Sequence, residues 1–217
     1  MPRNRRPRAW IRRLGMRRSA RLAARKRIHG APRETDRATA AEPIPANVLA
    51  RGHDNLSPAA AFDLDKALVA HDRTLQHAYA VARTAAMDNR RVEPAAEWLI
   101  DNVYLIRNEI REVREALPAS VWRRLPRNQP DGQVVPRMLR ALRACIAQLD
   151  GNVEPEAVER YLDEYQTHAT FDLVELWTLP VLVRVALIEG LASDAAAITR
   201  RMQAYSNAEA WAERLIG

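Results

Sequence analysis

The residue types that most often carry chemistry are sparse in this chain and badly spaced for it. The five histidines, His29, His53, His71, His77 and His168, form no i, i+4 pair with a carboxylate in zinc-ligand order. His71 and His77 are six residues apart, which sends them to different faces of a helix. The single cysteine, Cys145, sits between Leu142 and Ile146 on an apolar helical stripe and reads as a buried structural thiol. One cysteine also excludes a disulfide framework and a cysteine-based metal site. Asp63 and Asp65 flank Leu64 in the acid-x-acid pattern that holds a divalent cation at the end of a strand in α/β transferases. Here the pattern opens a helix, where acids favour the positive end of the macrodipole. There is no glycine-rich phosphate loop and no G-x-S-x-G elbow. The residues therefore assign no catalytic, metal or cofactor position, imply no cofactor, and lead us to expect no activity from this chain alone.

Polar residues on otherwise apolar helices say more. Glu97, Trp98, Asp101 and Asn102 interrupt one core-like helix; Glu175, Trp177, Arg184 and Glu189 interrupt another. A lone buried charge is expensive, so these groups are expected to pair. The expected arrangement is an inter-helix network joining Arg184 to Glu175 or to a carboxylate from Asp101 or Glu97. The competing reading is a solvated edge, with the same residues in water.

Charge is distributed very unevenly along the chain. Residues 1–38 hold 14 basic and two acidic residues, a balance of +12, whereas the remaining 179 residues balance at −5. The arm is thus a candidate polyanion or anionic-lipid contact through Arg5, Arg6, Arg12, Arg13, Arg17, Arg18, Arg21, Arg25, Lys26 and Arg27. Trp10, Ile11, Leu14, Leu22 and Ile28 make a ragged apolar stripe along it, as on a basic helix lying at a lipid surface. A solvated disordered arm and an arginine-rich transit segment fit the same composition. The strong preference for arginine over lysine runs through the acidic part as well, so it carries little functional information. Its longest uncharged run in the most apolar region, Leu176–Val183, is far short of the roughly 20 residues a membrane span needs.

The rest must position these groups, and it reads as a succession of helices. Only seven glycines and two phenylalanines occur in 217 residues, which argues against a sandwich or barrel. Ser57-Pro58 opens the first helix, with Leu64, Leu68, Leu75, Tyr79 and Ala82 inward, and Asp88-Asn89 closes it. Glu93-Pro94 opens a second, with Trp98, Leu99, Leu105, Ile106, Ile110, Val113 and Leu117 on one face, and Pro118 ends it. A short turn over Ser120–Leu125 precedes a loop over Pro126–Gly132. A third helix starts at Pro136 and stops before Gly151; a fourth starts at Glu154-Pro155. The fifth, from about Asp172, is apolar nearly all round and is expected to kink at Pro180. Ser206-Asn207 is expected to cap a last helix, Ala208–Ile216, with Trp211 and Leu215 facing in. The expected fold is all-α: an array of about five to six helices with a kinked central helix, over residues 53–217. It is preceded by an arginine-rich arm and proline-containing linker, residues 1–52, disordered or partly helical.

The run EWLIDN (Glu97–Asn102), continuing through Tyr104 and Leu105 to EIREVREALP (Glu109–Pro118), resembles the helical segment near the N-terminus of cyclic β-1,2-glucan synthases. Arg124 to Pro126, Pro136-Arg137, ELWTLP (Glu175–Pro180), Arg184, Ala186 to Glu189 and Leu191 agree in order and spacing, from about His53 to Gly217. The resemblance implies a very large bacterial inner-membrane enzyme that polymerises glucose from UDP-glucose and cyclises the product. This sequence carries neither the membrane spans nor the transferase motifs of that pattern, so no catalytic residue is carried over. It reads as the helical module alone, a non-catalytic piece that scaffolds or docks on the other domains of such a synthase. Its place would be the cytoplasmic face of the inner membrane, or the cytoplasm if it stands free. The alternative is an arginine-rich nucleic-acid-binding protein with a helical dimerisation body; its signal is confined to the arm.

Overall fold

The computed structural model describes residues 62–90, 92–128, 134–149 and 153–216. They form six helices: α1 (Leu64–Met87), α2 (Pro94–Ala116), α3 (Ala119–Trp122), α4 (Arg137–Gln148), α5 (Pro155–Gln166) and α6 (Leu173–Ile216). Between α3 and α4 lies a minimal antiparallel pair, β1 (Arg127–Asn128) and β2 (Val135–Pro136), registered Arg127↔Pro136 and Asn128↔Val135. The fold is all-α, with this ladder replacing part of the expected loop.

The helix ends follow from local chemistry. The α1 helix closes in a Schellman motif: Arg90 N–H donates to Ala85 O at 2.9 Å, Asn89 N–H to Ala86 O at 3.2 Å, and Asn89 takes φ 55°. Asparagine tolerates that left-handed conformation better than most residues, which is why the chain turns there. Both α2 and α5 begin with a Glu-Pro pair. The glutamate carbonyl accepts the first helical bonds, and proline at the first helical position loses only a donor with no partner in any case.

One expected boundary is corrected. The expected start at Ser57-Pro58 lies outside the described residues; the described helix α1 runs from Leu64, with Asp63 just ahead of it. The break at Ser206-Asn207 does not occur, because α6 runs unbroken from Leu173 to Ile216. The hydroxyl that would cap a new helix is engaged elsewhere, accepting a bond from Arg90 Nη1 at 2.9 Å. Trp211 and Leu215, expected to face in, are exposed. Pro180 sits inside α6, where its missing N–H leaves the Leu176 carbonyl without its usual i+4 donor.

The contacts divide the chain into two compact units. Among described residues, the first comprises 62–63 and Val113–Leu187, thus α3, the β1–β2 ladder, α4, α5 and the start of α6. Its core is built on the buried stripe Met138, Leu139, Leu142 and Cys145 of α4 and on Val158, Tyr161, Leu162 and Tyr165 of α5. Each fully buried leucine of this kind stabilises the fold by about 1.5–3 kcal/mol.

The second unit comprises Leu64–Glu112 and residues 188–217, thus α1, most of α2 and the rest of α6. Leu64, Leu68, Leu75, Ala78 and Ala82 form the buried stripe of α1 at helical spacing. Two alanines and an isoleucine bring its three helices together: Ala82, Ala96 and Ile198 form a buried cluster flanked by Val92, Ala95, Ile100 and Met202.

Candidate functional site

A tightly built polar site lies in the first unit, where α4 and α6 begin. Asp172 stands at the cap of α6 and Glu175 in its first turn. Asp172 Oδ1 accepts from Glu175 N–H at 2.9 Å, and Glu175 Oε2 accepts from Asp172 N–H at 2.9 Å. This is a capping box with aspartate as the cap, and it satisfies two otherwise orphaned amide donors. The same Glu175 carboxylate receives a two-pronged arginine: Arg137 Nε donates to Oε1 at 2.9 Å and Nη2 to Oε2 at 2.6 Å.

Arg137 is held from several sides. Its Nη2 also donates to Thr170 O at 2.8 Å, and its guanidinium lies 5.7 Å from the Phe171 ring centroid. Phe171 stacks on Tyr165 with centroids 4.6 Å apart and planes 8° apart. The Arg137 amide donates to Pro126 O at 3.0 Å, tying the start of α4 to the end of the α3 turn. A cation at a helix N-terminus opposes the macrodipole, and here the Glu175 carboxylate offsets it. The hydrogen bond to Glu175 raises the Arg137 pKa, against a lowering by desolvation. Burial pushes the Tyr165 phenol up; Glu175 adds to the rise, while Arg137 and Arg140 oppose it.

Glu175 is 0% exposed, and three N–H donors converge on its two oxygens. Such a carboxylate is committed: it fixes two helix starts against each other and presents nothing to a substrate. Cys145 is equally inert as a nucleophile, because burial pushes its thiol up to about 12. Among the described residues no group of three or more histidine, cysteine or acidic side chains is placed to hold a metal ion. No described helix is long and apolar enough to cross a membrane.

A second arginine cluster lies beside this site. Trp122 Nε1 donates to Phe62 O at 3.2 Å, Arg127 lies 5.6 Å over the Trp122 ring, and Arg143 lies 5.2 Å over Phe62. Desolvation lowers the Arg127 pKa, and its buried Nη1 finds no acceptor among the described residues.

Of the eight residues expected in one network, Glu175 stands at the centre of a buried ion pair. Its partner is Arg137, not Arg184. Nine residues along one helix separate Glu175 from Arg184 by about 13.5 Å, too far for a direct pair, whereas Arg137 arrives from another helix. Arg184 and Glu189 are half-buried, with His71 Nε2 4.0 Å from Glu189. Asn102 is buried and donates to its own helix, to Trp98 O at 2.8 Å. Trp98 is half-buried, and its Nε1 has no hydrogen-bond partner among the described residues. Glu97, Asp101 and Trp177 are exposed, Trp177 to 76%. Leu105, expected on the inner face of α2, is also exposed, since it lies on the stripe that carries Tyr104. The ten arm residues, Arg5 to Arg27, lie outside the described residues.

The sequence reading missed Arg137 and Asp172 as site residues. The signal for Asp172 was present, an acid three residues ahead of a glutamate at the start of an apolar run. Arg137 had a weaker one: with Pro136 and the Glu175–Pro180 run, it is among the residues that carry the family resemblance. The structure brings those separate motifs together at a single ion pair.

No family model matches the chain. It is 34% identical over 125 residues to the cyclic beta-(1,2)-glucan synthase NdvB of Rhizobium meliloti (strain 1021). The matched stretch is 58% of this chain but only 4% of that protein. The resemblance read from the motifs is therefore found in a direct sequence comparison, and it concerns a small part of a far longer protein.

Proposed function

We propose that this chain is a non-catalytic helical module of a cyclic β-1,2-glucan synthase-like glycosyltransferase. It would scaffold or dock on the UDP-glucose-dependent transferase part at the cytoplasmic face of the membrane, where it is peripheral. The observation that carries this reading is the 34% identity over 125 residues with a glucan synthase. Two features of the structure support it. The Arg137–Glu175 site holds helices in place and leaves no carboxylate oxygen for a substrate. Leu173 and Trp177, one turn apart on α6, are 69% and 76% exposed, an apolar pair suited to covering by another domain.

Two measurements test the reading. An immunoblot of membrane and cytosolic fractions, with antibody against the Pro94–Pro118 segment, is expected to show a membrane band much larger than 24.6 kDa. A soluble band near that mass would remove the fragment form of the proposal. The purified chain is expected to leave UDP-glucose unconsumed, and turnover by the chain itself would overturn the non-catalytic assignment.

A further inference from the structure

The exposed face of α2 carries a second surface that the scaffolding role leaves unused. Glu97, Asp101, Tyr104 and Leu105 fall on one solvent-facing stripe, with Tyr104 86% and Leu105 39% exposed. All four lie in the second unit. Glu97 and Asp101 are four residues apart, so their carboxylates are neighbours, and like charges at that spacing destabilise a helix. Neither has an ion-pair partner among the described residues. An acidic pair beside an exposed tyrosine and leucine is complementary to a basic segment with apolar side chains, which can neutralise the carboxylates and place arginine over the Tyr104 ring. The chain contains such a segment: residues 1–38, with a balance of +12 and with Trp10, Ile11 and Leu14 among the arginines.

We propose that the Glu97–Asp101–Tyr104–Leu105 face of α2 is the docking surface for the chain's own basic arm, residues 1–38. This inference does not depend on the glucan synthase reading. It uses only the charge of the two regions and the exposure of the stripe. Charge-matched contact of exposed groups is screened by salt, so the arm should be held at low ionic strength and released at 1 M, where the Debye length is about 3 Å.

The chain has only two lysines, Lys26 in the arm and Lys66 in α1, which makes a zero-length test unambiguous. A carbodiimide joins a lysine amine to a carboxylate in direct contact. In the full chain at low salt, peptide mapping is expected to find Lys26 linked to Glu97 or Asp101 at monomer mass, with about a tenfold loss in 1 M NaCl. Links from Lys66 report that the reagent worked. Lys26 joined to other carboxylates, or to none, would overturn the proposal. Lys26 links found only at dimer mass would overturn it in favour of the arm of a second copy.

A second measurement uses the full-length double variant Glu97→Arg/Asp101→Arg, with helix content checked by circular dichroism. Its arm is expected to be cleaved by trypsin about tenfold faster than that of the parent at low salt, because cleavage tracks the undocked population. An equal rate would overturn the proposal.

Discussion

The two units each contain an arginine fork on a glutamate, and the pair makes a controlled comparison. In the first unit, Arg137 grips Glu175 at 2.9 and 2.6 Å, with the carboxylate side chain 0% and the arginine 19% exposed. In the second, Arg201 grips Glu93 with the same two nitrogens at 3.2 and 3.0 Å, with 32% and 38% exposure. The covalent groups and the two bonds of the fork are the same; the surroundings differ. Water screens the second pair and competes for it, so its net contribution is small. The first pair has lost most of its water, its carboxylate all of it, so each member depends on the other, and removing one leaves the other poorly solvated. The lesson is that an ion pair's importance is set by what else can solvate it, more than by its geometry.

The comparison is most strongly tested at Glu175. Glu175→Ala should lower stability by about 3–5 kcal/mol in urea unfolding, since it strands Arg137 and removes one arm of the capping box. The double variant Arg137→Met/Glu175→Leu should recover much of that loss, because an apolar pair carries no desolvation penalty. A Glu175→Ala loss below about 1 kcal/mol would erase the distinction between the two forks.

The next largest effect concerns the buried thiol of the first unit. Burial raises the Cys145 pKa from 9.0 to about 12. A raised folded-state value means the unfolded thiol ionises first. Its contribution to stability is therefore complete below about pH 9 and falls as pH rises through about 12. Titrating stability across that range in the parent and in Cys145→Ala should show a slope that the variant lacks. The parent thiol should also resist thiol reagents at pH 8 until the protein is unfolded.

Smaller still is the cap alone. Asp172→Ala keeps the Arg137–Glu175 fork and removes one side-chain acceptor, for an expected loss of about 1 kcal/mol. The smallest effect belongs to the exposed fork. Arg201→Ala should lower stability by less than about 1 kcal/mol, and the difference should vanish in 1 M salt. A salt-independent loss from Arg201→Ala would show that this pair is shielded from water as the first one is.

The readings of the sequence succeeded where short-range chemistry decides. Glu93-Pro94, Glu154-Pro155 and Asp88-Asn89 mark real helix ends, because a cap or a proline acts on amides within one turn of itself. Hydrophobic periodicity likewise located the inner faces of α1, α4 and α5. Ser206-Asn207 shows where local chemistry is overruled. The dipeptide is a good cap in isolation, but Arg90, 116 positions away, takes the serine hydroxyl, and α6 continues. Glu175 shows the same limit for the site: its burial and its need for a countercharge were legible, and its partner was not.

By itself the amino-acid sequence determined an all-α chain, most of its helix boundaries, the split between a basic arm and an acidic remainder, and the resemblance to a glucan synthase. Periodicity, caps and local charge are properties of neighbouring residues, and they survive without any knowledge of the fold. Which arginine meets Glu175, and which fork is dry, were decided only by the tertiary structure. Those are properties of residues brought together from 38 and 108 positions apart. Spacing along a chain does not encode such a meeting; the packing of one helix start against another does.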